Sequence, residues 1–66
     1  MRVVLRSTQT GHYFRVPKEW TRDSQQALDF GQIEQAIKTA CEARLDDVEV
    51  VFLFENPHQA LRLPIR

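Results

Sequence analysis

The chain has one cysteine, two glycines, three prolines and no net charge, and its longest uninterrupted apolar run is five residues, Val50 to Phe54. Each scarcity excludes something. A lone Cys41 cannot close an intrachain disulfide, so the fold stands without the staples of small secreted domains, and a reducing cytoplasm is the expected setting. No segment approaches the roughly 20 apolar residues of a membrane span, and "MRVVLRSTQ" turns polar after three apolar positions, unlike a signal peptide. Two glycines cannot furnish G-x-x-x-x-G-K in the right context or G-x-G-x-x-G, so phosphate-cradling loops are missing. With no C-x-x-C and no H-x-x-x-H, neither a metal nor a cofactor is expected. Nine basic and nine acidic side chains cancel, which removes the strongly cationic balance of many nucleic-acid and membrane-surface binders.

Within that neutral total the charge is uneven. Arg2, Arg6, Arg15, Lys18 and Arg22 face only Glu19 across the first 22 residues, whereas the stretch from Asp23 to Glu55 holds eight acidic residues against Lys38 and Arg44. Apolar residues make up 42% and charged residues 27%, a globular composition, and 66 residues allow one domain, residues 1–66, with a very small core.

Hydrophobic periodicity predicts an α+β domain. "VVLRS" and "HYFRV" read as a β-hairpin whose reversal uses the conformational freedom of Gly11, with Pro17 stopping the second strand near Val16. Asp23 followed by Gln26 resembles a capping box and predicts a turn or two of helix across Ser24 to Asp29, with Ala27 and Phe30 on one side of it. In "QIEQAIKTACEAR" the spacing of Ile33, Ala36, Ile37, Ala40 and Cys41 predicts a helix with one buried stripe, ending near Arg44 or Leu45. "VEVVFLF" predicts a strand with Val48, Val50, Phe52 and Phe54 toward the helix and Glu49, Val51 and Leu53 away from it. After turn chemistry at Asn56 and Pro57, "ALRLPIR" reads as an edge strand ended by Pro64. The expected architecture is ββαβ, or ββαββ if the tail pairs: one helix on a mainly antiparallel sheet of strand order 2-1-3.

"G-x-Y-F" at Gly11 to Phe14, "W-T" at Trp20, "A-L-x-F" at Ala27 to Phe30 and "V-E-V-V" at Val48 to Val51 resemble a group of small uncharacterised bacterial proteins of this length. The resemblance covers Gly11 to Leu53. It implies no activity, cofactor or substrate, so it assigns no functional residue.

Catalytic groups are few. His12, His58, Cys41 and one tyrosine are scattered, and Cys41 falls on the predicted buried stripe, where a thiol behaves as a small hydrophobe. The expectation is therefore a protein that is not an enzyme, a binding or adaptor domain working through protein–protein contact. Val4, Val51 and Leu53, on the sheet face away from the helix, are the candidate dimer face, because an apolar patch there needs a partner, a second copy or the C-terminal tail to cover it. The alternative is nucleic-acid binding by the cationic hairpin. Arg2, Arg6, Tyr13, Arg15, Lys18 and Arg22 combine an aromatic ring with phosphate-attracting charge. Trp20, Ala27 and Phe30 read instead as the lid of the core.

Overall fold

The computed structural model describes residues 1–16, 19–55 and 60–65; the expectations placed on Pro17, Lys18, Asn56, Pro57 and His58 fall outside them. Five strands form one antiparallel sheet: β1 (Arg2–Ser7), β2 (Tyr13–Val16), β3 (Glu19–Thr21), β4 (Val48–Leu53) and β5 (Ala60–Pro64), in the order β3-β2-β1-β4-β5. A 3-10 turn, Ser24–Gln26, and one helix, α1 (Ile33–Glu42), lie between β3 and β4. The fold is α+β with a helix on an antiparallel sheet. The strand order is not the three-strand 2-1-3, because a strand is added at each edge. β3 is the one the sequence hid: it is three residues long and pairs Trp20 opposite Phe14, with a register shift between Phe14 and Val16.

Alternation along β1 and β4 sorts the core into two faces. Val3, Leu5, Val48 and Val50 join Phe14, Ala36 and Ala40 under the helix, flanked by Phe30, Ile33, Leu45, Phe52 and Ile65. Val4 and Val51 pair directly across the strands and join Ala27 on the other face, flanked by Tyr13 and Leu53. Ala27 and Phe30 thus belong to opposite faces rather than to one.

The reason is an opening in the hairpin. β1 and β2 are in register only at Arg6 and Tyr13, near the reversal where Gly11 has φ 78°. Beyond it they splay, and residues 28–30 fill the gap: Leu28 N–H donates to Phe14 C=O at 3.0 Å, and Phe30 N–H donates to Val3 C=O at 2.8 Å. Asp29 Oδ1 accepts the N–H groups of Val3 (3.0 Å) and Gly31 (2.9 Å). These backbone groups would otherwise be left without partners inside the sheet, which is costly. The two N–H bonds also hold the Asp29 carboxyl below the usual aspartate range, first through Val3 and then through Gly31. The chain passes from the far face, at Ala27, to the helix face, at Phe30.

Upstream, Asp23 accepts the Gln25 N–H at 2.9 Å and starts only the short 3-10 turn, not the longer helix expected to Asp29. Downstream, α1 stops at Glu42, short of Arg44. Leu45 N–H returns to Ala40 C=O (2.9 Å) and Arg44 N–H to Cys41 C=O (3.2 Å), the double bond pattern of a Schellman cap. Arg44 sits at φ 53°, in the left-handed region where glycine is usual. With no glycine to mark the stop, the sequence misplaced it.

Only Ala36 and Ala40 of α1 are buried. Two alanines bring the helix axis close to the sheet, so the contact stripe is narrow. Ile37 and Cys41, expected inside, lie exposed on its flank.

Candidate interaction surface

The far face is largely closed by the chain itself. Val4 and Val51 are buried beneath Ala27, and Leu53 is half-buried. Arg2 holds that cover in place: its guanidinium donates to the carbonyls of Ser24 (2.6 Å) and Ala27. Arg6 pairs with Glu49 at 2.8 Å, a carboxylate that is 6% exposed. Within the chain, the centre of the candidate dimer face at Val4 and Val51 is covered by residues 24–27 rather than by the C-terminal tail.

The cationic hairpin is also reorganised. Of its candidate residues, Arg2 and Arg6 are committed to partners within the chain, and Tyr13 packs against the Val4 cluster. Arg15 and Arg22 are exposed, Arg15 at the register shift of β2. Lys18, the remaining candidate, lies outside the described residues. Trp20 is exposed over about a third of its surface and meets Phe14 edge-on at 5.6 Å, while Phe30 stacks on Phe14 at 6.0 Å. All three rings belong to the helix side, with Phe14 the buried member.

A shallow cleft of about 290 Å3 opens between Arg2, Ser24, Gln25, Leu53 and Phe54. Met1 and Glu55 complete its lining, and the Arg2 guanidinium within it is bound to two carbonyls. Among the described residues no three His, Cys, Asp or Glu side chains are grouped as a metal site. No helix among them is long and apolar enough to cross a membrane.

Met1, Val16, Trp20, Leu28, Ile37, Phe54, Leu61 and Leu63 are the exposed large apolar residues among those described, and Leu61 and Leu63 share the helix side of β5. Leu61 and Leu63 face that side, opposite Phe52 and Val50 in register, and are 54% and 39% exposed; Ile37 is 38% exposed. Chirality fixes where Ile37 points. Viewed from the helix with β1 running upward, an L-residue whose side chain faces the viewer directs its own N–H and C=O to the right. Val3 is such a residue and meets Asp29 and Phe30 on the β2 side, so β4 and β5 lie to the left. α1 starts after Phe30, beside Val3, and is followed by Asp47, whose carbonyl accepts the Thr8 N–H, so it runs upward. With Ala36 and Ala40 toward the sheet, a right-handed turn of about 100° per residue brings Ile37 and Cys41 out on the left, over β5. Ile37, Leu61 and Leu63 therefore lie toward the same edge of the sheet on its helix side, with half-buried Phe52 opposite Leu61 in register.

Sequence reasoning missed this grouping. Its signal was present in the alternation of "ALRLP", whose leucines fall on one face, but Ile37 was assigned to the buried stripe. No protein-family model, no curated protein and no solved structure matches the chain.

Proposed function

We propose that the protein is a small non-enzymatic binding domain that works through protein–protein contact, and that its contact surface is the helix side of β5, with Ile37 of α1 toward the same edge. The observation that carries this reading is the grouping of Ile37, Leu61 and Leu63 at the side of the helix, exposed although the core has few large side chains to spare. Domains of this size bury what they can, so apolar side chains grouped outside the core support an interaction site. Arg2 and Arg6, two of the six residues of the nucleic-acid alternative, already have partners inside the fold. The expected cytoplasmic setting fits a soluble partner.

Affinity capture from a lysate of the source cell tests the reading, with the wild type compared against Leu61→Glu and with nuclease added to half of each sample. The reading predicts captured proteins that survive nuclease and are lost with Leu61→Glu. Capture that nuclease abolishes and Leu61→Glu leaves intact would transfer the function to nucleic acid.

A further inference from the structure

We infer that residues 23–29 form a strap that swings open as one unit while the sheet stays folded, uncovering the Val4–Val51 face. Both feet of the strap stand on one ring. Trp20 meets Phe14 edge-on at 5.6 Å before it, and Phe30 stacks on Phe14 at 6.0 Å after it. Between them the chain leaves the helix side, covers the far face with Ala27 and returns. Opening keeps both ring contacts.

Hydrogen bonds, rather than packing, hold the strap down. Of residues 23–29 only Ala27 is buried; Leu28 is 41% exposed and Asp29 is exposed. The strap is tied to the sheet by the Arg2 guanidinium on the carbonyls of Ser24 and Ala27, by Leu28 N–H on Phe14 C=O, and by Asp29 Oδ1 on Val3 N–H. Such bonds exchange for bonds to water at small net cost, and a segment with little apolar burial opens well below the free energy of global unfolding. β1 and β4, by contrast, pair from Arg2↔Leu53 to Ser7↔Val48 over buried Val3, Leu5, Val48 and Val50.

Opening changes two things at once. Ser24 and Gln25 form a wall of the cleft that Leu53 also lines, so lifting them extends the cleft toward Val4 and Val51. It also releases the two donors of Arg2. The open state presents an apolar face with a cation at its margin, which the closed state lacks.

The Asp29 carboxylate is the latch. Its Oδ1 accepts the N–H groups of Val3 and Gly31, and Arg2 and the amino group of residue 1 favour its charge. Asp23, which caps the 3-10 turn, and Glu55, in the cleft lining, are the other carboxylates beside the strap. Protonation weakens the two bonds to Asp29, so acid favours the open state. The closing contribution is present above the unfolded value of about 3.9 and lost as pH falls through the lower folded one.

Native-state hydrogen exchange of the 15N-labelled protein tests the strap. The Val3 and Leu28 amides report its opening; those of Val4 and Val51, opposite each other in β1 and β4, report the sheet. The inference predicts similar protection at Val3 and Leu28, about tenfold or more below that of Val4 and Val51. Val50→Ala should lower the sheet amides about tenfold and leave the strap amides unchanged, because the core is intact whether the strap is closed or open. Asp29→Asn should lower all four by one factor, because it destabilises the closed strap relative to every other state. Low urea replaces Val50→Ala if that variant does not fold, and should erode protection steeply at the sheet amides and weakly at the strap amides. Lowering the pH to about 3 should reduce strap protection, corrected for the intrinsic exchange rate, more in the wild type than in Asp29→Asn. Strap amides that follow the sheet amides in Val50→Ala or urea would open only on global unfolding, and Val3 and Leu28 responding unequally would not be one unit; either overturns the inference. An equal acid response in the wild type and Asp29→Asn would overturn the latch.

Discussion

Asp29 takes the place of a neighbouring strand for Val3: its Oδ1 accepts the Val3 N–H at 3.0 Å where the splayed hairpin offers no carbonyl. The charged form makes these bonds best, so the folded-state pKa is depressed. A depressed carboxylate contributes stability that is present above its unfolded value, about 3.9, and lost as pH falls through the folded one. Asp29→Asn should therefore be less stable than the wild type at pH 7, with the gap shrinking below about pH 4 as both chains become neutral at this position. Urea unfolding midpoints across that range check it. A gap that stays constant with pH would show that the charge is irrelevant.

Arg44→Gly should stabilise the protein by about 0.5 to 1 kcal/mol, because glycine occupies the left-handed position of the helix cap without the strain of a Cβ, partly offset by its freer unfolded chain. Chemical denaturation reads this directly. Loss of stability would mean that the arginine side chain contributes more than its backbone costs.

Arg6→Met should cost about 1 to 3 kcal/mol, reduced from the range for a fully buried pair because Arg6 is 26% exposed. The cost arises mainly from leaving the Glu49 carboxylate buried and unpaired. Adding Glu49→Leu should recover most of it. Additive losses in the double variant would argue that the two side chains act independently.

Phe14→Ala and Trp20→Ala should separate clearly. Phe14 is buried between the Trp20 and Phe30 rings, so its truncation should cost about 3 to 5 kcal/mol. Trp20 touches it from an edge strand and retains solvent on one side, so about 1 to 2 kcal/mol is expected. Thermal unfolding of both variants decides whether the buried ring or the edge ring anchors the cluster.

The sequence carried the helix, the hairpin and the two faces of β4 from Val48 to Leu53, because each depends on local periodicity, whereas Phe54, expected toward the helix, lies past the strand and lines the cleft beside Arg2 and Leu53. It carried little of what long-range geometry imposes. Nothing local announces that Asp29 substitutes for a strand, since the distance between Asp29 and Val3 in the chain is 26 residues. Three residues around Trp20 are too few for alternation to be read as β3. Cys41 and Ile37 match a buried helical stripe by spacing, but the stripe's width depends on how near Ala36 and Ala40 let the helix approach. The same geometry moved the candidate surface. Val4 and Val51 are as apolar as expected, but residues 24–27 reach them first, and Leu61 and Leu63 on β5 are exposed instead.

The most direct test of the helix side of β5 as the working surface is photo-crosslinking in living cells, with p-benzoylphenylalanine placed at Leu61 in one strain and at Arg15 in another. Both positions are exposed, but only the first lies on β5. Irradiation should yield discrete protein adducts from position 61 and none above background from position 15. Adducts from position 15 alone would place the partner on the hairpin and contradict the account.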